Sequence, residues 1–396
     1  MGRSIIITPS SPSPHRKHLK TFFCLLLVAC LQVACSINAT PNPTAKWTTT
    51  PSETSTSTVT PTNTQSPTWT VSPSPSASPT RTTTPTLTPT LASLEMFATR
   101  LLRQGVLPQA YLGDNCSFLR MRWSPDGSQP GTVVMPIMFH SIVQDDTPLA
   151  DPNKDITADQ FLEFVETARY LGFTTITTQE LKDFLTSNAP IPHRSMMIII
   201  DDRRPGLIRD WLMPVLEQND WTATAAYIAD PNSLQWAWEL MENLYASGRL
   251  DVQSHGYTGQ LYIVPETPVD QIQSEIWNST QVLEEHFGTP PIAFIWPGGN
   301  FTPLSVQIAR QGGYELGFSA YSRGPLLFNW VPLGEEEQAV KDPLMVLPRA
   351  WSSAVNFNLD EAVKVSEQAT KFAEQNYPAE ADWYRTYCGG EISNNR

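Results

Sequence analysis

The run Met196 to Ile200 is apolar at every position and is followed at once by Asp201 and Asp202. An apolar run without alternation has no face to offer water, so it reads as a strand inside a sheet that is covered on both sides. Such a strand needs helices around it, and the flanking sequence supplies them. Thr132 to Phe139 reads as a buried strand that delivers His140 and Ser141 at its end. Thr157 is placed to cap a helix whose apolar face is Phe161, Phe164, Val165, Ala168 and Leu171, with Gly172 as its stop. The alternation continues through strand 173–177, helix 179–185, helix 207–218, strand 223–228, helix 234–247 capped by Ser233 and ended by Gly248, and strand 250–253. A long helix striped by Ile272, Ile276, Leu283 and Phe287 comes next, then strand 292–296, helix 303–311 and strand 316–319. A helix over 91–102 is expected ahead of the first strand, and a strand over 345–347 behind the last. This many strand and helix units predict an α/β fold with parallel strands, closed or nearly closed into a barrel.

In such barrels the chemistry sits at the carboxyl ends of the strands. Three ends stand out: Asp201 and Asp202 after one strand, Ser254 and His255 after another, and Pro297, Gly298, Gly299 and Asn300 after a third. Side chains of adjacent residues on an extended chain point to opposite faces, so one aspartate can hold a cation while the other meets a substrate proton. Singly, each has a plain structural reading as a helix cap or a turn. Together, at successive strand ends, they mark a site.

The chain ahead of the barrel is of a different kind. Of residues 51–90, 31 of 40 are Ser, Thr or Pro, which leaves too little apolar surface to offset the entropy of ordering. Residues 36–92 are therefore expected to be a disordered, extended stalk. Before it, Arg16, Lys17 and Lys20 precede the apolar run 22–33, the pattern of a secretory signal over residues 1–35. Ala29-Cys30 and Ala34-Cys35 both resemble the lipobox of bacterial lipoproteins, in which the cysteine is acylated and anchors the chain to the membrane. Leu27 favours Cys30, whereas cysteine parity favours Cys35, and both stay open. Residues 93–396 then form one domain carrying 20 Lys and Arg against 38 Asp and Glu, a net −18. Such a domain lacks the basic footprint that nucleic acid requires. Its only cysteines, Cys116 and Cys388, flank the barrel, and export makes them a disulfide pair.

The order Asp201-Asp202, His255, Pro297-Gly298-Gly299, together with Phe139-His140-Ser141, Gly172 to Thr177 and Leu347-Pro348-Arg349, resembles the polysaccharide deacetylase family, carbohydrate esterases that remove acetyl groups from glycans. The resemblance runs over about 133–350 and implies a deformed (β/α) barrel. It also implies Asp201 as general base, Asp202 and His255 as ligands of a divalent metal such as zinc, and the Gly298 N–H as oxyanion donor. Arg349 stands in for an arginine that many relatives carry where this chain has Ile295, and would orient Asp201; a surface arginine is the competing reading. His140 is expected to support the barrel mouth. An acetylated polysaccharide would be the partner.

Departures from the family pattern are concentrated at the metal. Gly259 stands where a second histidine ligand belongs, Arg203 and Arg204 follow the aspartates, Gly298 replaces an aromatic residue, and no histidine follows His286 to act as the usual acid. Catalytic zinc keeps three protein ligands, so the guanidinium of Arg203 or Arg204 is an alternative occupant of the metal's place. Two functions follow: a hydrolase of carbon–nitrogen bonds other than peptide bonds, or an inactive member that binds wall or capsule polysaccharide. Trp236, Trp238, Trp277, Trp296 and Trp351 are available to stack on sugars or to pack.

Overall fold

The computed structural model describes residues 93–230 and 232–393. The signal at 1–35, the stalk at 36–92 and the lipobox cysteines Cys30 and Cys35 lie outside the described residues. In chain order the elements are β1 (Leu107–Gln109), α1 (Asn115–Arg122), β2 (Val133–Phe139), β3 (Ser141–Val143), β4 (Asp155–Thr157), α2 (Ala158–Tyr170), β5 (Thr174–Thr175), α3 (Thr178–Ser187) and β6 (Arg194–Asp201). Then come α4 (Pro205–Leu207), continued through a π turn (Ile208–Leu212) into α5 (Met213–Asn219), β7 (Ala223–Tyr227), α6 (Gln235–Tyr245), β8 (Leu250–Ser254), α7 (Val269–Phe287) and β9 (Ala293–Ile295). The last are α8 (Pro303–Gln311), β10 (Leu316–Phe318), β11 (Leu326–Leu327), β12 (Val331–Leu333), α9 (Glu335–Val340), β13 (Ala350–Trp351) and α10 (Val355–Cys388).

The main sheet has the order β10-β9-β8-β7-β6-β2-β11, parallel throughout except for β11, with β5 on β6 and β13 on β2. Residues 347–351 bring β10 round beside β2, because Leu347 bridges Phe318 of β10 while Ala350 and Trp351 pair with Ile137 and Met138 of β2. The sheet is thereby curled into an α/β barrel of deformed type. Every residue of β2 is buried, as are Ser195 to Asp201 of β6. The pleat divides the apolar run between two cores: Met196, Ile198 and Ile200 join one, Met197 and Ile199 the other. Asp201 shares the face of Met197 and Ile199, so its carboxylate is aimed into the protein by strand periodicity alone.

Helix starts carry the expected chemistry where the cap side chain is free. Thr157 caps α2 in a capping box with Gln160, and Thr177 and Thr302 do the same for α3 and α8. Cys116 on α1 and Cys388 at the end of α10 form a disulfide, with Cα atoms 5.7 Å apart. No helix among the described residues is long and apolar enough to cross a membrane.

Three expectations about elements are corrected. Residues 93–99 form no helix or strand; Phe97 packs against Trp330 and Phe372, and its carbonyl accepts the Trp330 indole N–H at 2.9 Å, so tertiary contacts take over the backbone bonding that a helix would use. Ser233 does not cap α6, whose N-cap is Leu234; the Ser233 hydroxyl instead accepts from Arg203 at 2.5 Å. Residues 343–345 form a 3₁₀ turn and only Leu347 pairs with the sheet, because Pro343 starts a helical turn there.

Candidate active site

Asp201 ends β6, and the parallel register of β2 against β6 sets Phe139 opposite Ile200. The residue after each, His140 and Asp201, therefore meets its neighbour at the barrel mouth, with His140 Nε2 3.6 Å from Asp201 Oδ2. The other oxygen, Oδ1, accepts a 2.6 Å hydrogen bond from Arg349 Nη1. Arg349 is 1% exposed and Asp201 2%, and the guanidinium is fixed further by its Nε–H donating to the Ser319 carbonyl at 2.9 Å. Burial would raise the Asp201 carboxyl, but the charge of Arg349, helped by His255 and His140 and by the Arg349 hydrogen bond, holds it below the ordinary carboxylate range. The same burial pushes the His140 imidazole below its usual value against the pull of Asp201. At neutral pH the pair is thus a carboxylate beside a neutral imidazole. The Trp351 ring lies nearly parallel to His140, 5.7 Å between centroids, and fixes its plane.

Asp202 turns away from Asp201 by adopting φ 72°, a left-handed conformation that costs energy for a residue with a Cβ and is concentrated at functional sites. Its Oδ1 is 3.9 Å from His255 Nε2. His255 lies just past β8, and its Nδ1 is bound to the Ile295 carbonyl at 2.8 Å, which makes Nδ1 the protonated nitrogen and leaves the Nε2 lone pair facing Asp202. Two donors at this separation can share one ion, since zinc bonds to N and O run about 2.0–2.2 Å.

The third donor is not there. Among the described residues no group of three His, Cys, Asp or Glu side chains converges as a metal site. At Gly259, φ is 65°, and a Cβ would come within 2.4 Å of Ile228 Cδ1. The carboxylate of Glu275, buried on α7, holds this loop from below, accepting from the N–H groups of Thr258 and Gly259 at 3.0 and 2.8 Å and from the Thr258 hydroxyl at 2.9 Å. The arginines divide their tasks. Arg204 Nη2 donates to Asp202 Oδ2 at 3.2 Å, whereas Arg203 turns to Asp230, at 3.2 Å, and to Ser233. The residues present do not make a three-ligand catalytic metal site.

The turn after β9, Pro297-Gly298-Gly299, has Gly298 at φ 62°, with the Gly299 N–H bonded to the Trp296 carbonyl at 2.8 Å. Trp296 is fully buried with its indole N–H on the Met345 carbonyl at 2.8 Å, which anchors the turn from behind. Trp238 is buried too and stacks on His286 at 3.8 Å, and His286 bonds Glu242 at 2.7 Å, so both pack rather than serve the site. Trp236 and Trp277 are exposed, on α6 and α7. The position of His140 against Asp201 and the grip of Glu275 were missed from sequence. The first had a signal, since both residues follow apolar runs, but only the register shows that they meet.

Residues 189–317 match the family model described as polysaccharide deacetylase, a segment that runs from ahead of β6 into β10 and includes Asp201, Asp202, His255 and Gly298. No curated protein matches the chain. Among solved structures, the chain is similar to the deacetylase PplD of Streptococcus pyogenes in complex with acetate, at 18% identity over 59% of this chain and 99% of that one, TM-score 0.49. It is similar also to IcaB of Ammonifex degensii, at 19% identity over 61% and 98%, TM-score 0.45, and to a polysaccharide deacetylase of Bacillus cereus, at 18% identity over 58% and 69%, TM-score 0.46. The segment that matches the polysaccharide deacetylase model, about a third of the chain, thus holds the strand-end residues of the candidate site.

Proposed function

We propose that the domain hydrolyses acetyl groups from the amino sugars of an extracellular polysaccharide. The observation that carries this reading is the buried carboxylate of Asp201, held ionised by Arg349 with one oxygen left free and His140 beside that oxygen. In the reaction a water oxygen attacks the acetyl carbonyl carbon as Asp201 Oδ2 takes the water's proton. The oxyanion that forms faces the Gly298 N–H. As the carbon–nitrogen bond breaks, a proton goes to the departing nitrogen, and His140 Nε2, 3.6 Å from the same Asp201 oxygen, is the group in reach to pass it. Acetate and a free amine leave. Asp202 and His255 supply two metal donors, which is short of the set that lowers the pKa of bound water from 15.7 to about 7 in established zinc sites, and no step is derived through a metal.

A second reading, glycan binding without turnover, is favoured by the Arg204 contact to Asp202 and the closed space at Gly259. Both readings fit export: the Cys116–Cys388 disulfide suits an oxidising compartment, and acylation of Cys30 or Cys35 would hold the domain at a membrane by its stalk. Acetate release from N-acetylated glucosamine oligomers, assayed with and without added zinc, separates the two. Release supports the hydrolase; oligomer binding without release supports the binder.

A further inference from the structure

The glycines of the turn after β9 are each pressed by a neighbouring loop. A Cβ on Gly298 would stand 2.3 Å from Cε1 and 2.5 Å from Cδ1 of Tyr262, so the tyrosine ring lies against the turn's own backbone. On the other side, a Cβ on Gly299 would stand 2.6 Å from both the Cβ and the N of Ala320, whose next residue is Tyr321. The turn is thus held between the loop after β8, carrying Tyr262, and the loop after β10, carrying Tyr321. Both tyrosines are open to solvent, at 61% and 49%.

Neither is a loosely attached surface side chain. Tyr262 lies between Ile263, which is 1% exposed, and Leu261, which packs against the same core, so its backbone is pinned on both sides. The Tyr321 carbonyl accepts the Arg349 backbone N–H at 3.3 Å, and Arg349 in turn holds Asp201 at 2.6 Å. An exposed tyrosine therefore sits on each of the two loops that flank the turn, with the Tyr262 ring against the turn itself and the Tyr321 backbone tied to Arg349, and in the proposed reaction the N–H of that turn receives the oxyanion. An exposed ring fixed this way keeps its apolar face unused while losing little further entropy when something flat and amphipathic covers it. The C–H face of a pyranose ring has that character. A domain of net −18 disfavours a polyanionic glycan, so the pyranose belongs to a neutral or amine-bearing chain.

We infer that Tyr262 and Tyr321 are stacking platforms for pyranose rings of the polysaccharide on either side of the residue whose acetyl group lies at Gly298. The inference rests on the reading of the site as a glycan site, though not on turnover. The test uses the full chain carrying Asp201→Asn, titrated with β-1,4- and β-1,6-linked N-acetylglucosamine oligomers of three to six units. Tyr262→Ala and Tyr321→Ala should each weaken binding roughly tenfold and Tyr262→Phe by no more than about twofold, with thermal stability unchanged. Alanine variants that bind as tightly as their parent, or a parent that binds none of the oligomers, would overturn it. Acetate release by the chain with Asp201 intact reports separately on hydrolysis. Weaker binding in the alanine variants without any acetate release keeps the platforms and removes the hydrolase; release with an unchanged KM in Tyr262→Ala does the reverse.

Discussion

Arg349 Nη1 donates to Asp201 Oδ1 at 2.6 Å, joining residues 148 positions apart with both side chains almost fully buried. An ion pair so enclosed owes its geometry to the residues on either side. Asp201 is aimed inward by the pleat of β6, and Arg349 is held by the Ser319 carbonyl and by the segment that closes the sheet between β10 and β2.

Replacing Arg349 with methionine leaves a carboxylate buried without its cation. The expected cost is about 3–5 kcal/mol of stability at neutral pH. The sign in pH follows from the lowered carboxyl. In the unsubstituted protein the stabilisation is full above the unfolded value, near 3.9, and is lost as pH falls through the lower folded value. In Arg349→Met the folded value rises, so the acid limb of the pH–rate profile should move to higher pH. Urea unfolding across pH, alongside that profile, checks both effects; an unmoved acid limb would contradict the role given to Arg349.

His193 provides a second pH dependence, remote from the site. Ser366 Oγ donates to the Gly131 carbonyl at 2.7 Å, so it can only accept from His193 Nε2, and Nδ1 is left to accept from Thr132. Burial, together with the charge of Arg194, depresses the imidazole. A histidine with a depressed folded pKa binds protons more readily when unfolded, so stability should fall as pH drops below about 6.5 and level off below the folded value. In His193→Gln the slope of unfolding free energy between about pH 7 and 5 should be shallower than in the parent.

Gly259 cannot accept a side chain cheaply. A Cβ there would press Ile228 at 2.4 Å from a backbone at φ 65°, so Gly259→Ala should destabilise by about 1–3 kcal/mol. Gly259→His alone should gain no zinc affinity, and removing Arg203 should not help, because Arg203 already points to Asp230 and Ser233. Gly259→His combined with Ile228→Ala opens the space and should bind zinc more tightly, as read by competition with a chromogenic chelator. Zinc binding by Gly259→His equal to that of the double variant would show that Ile228 is no obstacle.

Much of this was legible because strand ends announce themselves. An apolar run that stops at a charged residue marks both the strand and its end, as at Asp201 and Asp202, whereas His255 follows a strand of mixed polarity, Leu-Asp-Val-Gln-Ser, and stood out by its place just past that strand. What stayed hidden depends on relations between distant segments. The contact of His140 with Asp201 needs the register of β2 on β6, which no local pattern encodes. The apolar residues near 97 read as a helix face, yet Phe97 is used by Trp330 far along the chain. Ser233 looks like a cap until a nearby arginine claims its hydroxyl. A glycine reads as a lost ligand, and only the positions of Ile228 and Glu275 show that the loop around it is built to another plan.

The proposed role of Asp201 as the base in acetyl hydrolysis is tested most directly by acetate release from N-acetylated glucosamine oligomers, comparing the unsubstituted chain with Asp201→Asn while oligomer binding is followed in both. The asparagine keeps the shape of the carboxylate but cannot take a proton. Release by the unsubstituted chain, at least about a hundredfold slower in Asp201→Asn with binding preserved, is the predicted result. Equal release by the two proteins would contradict it.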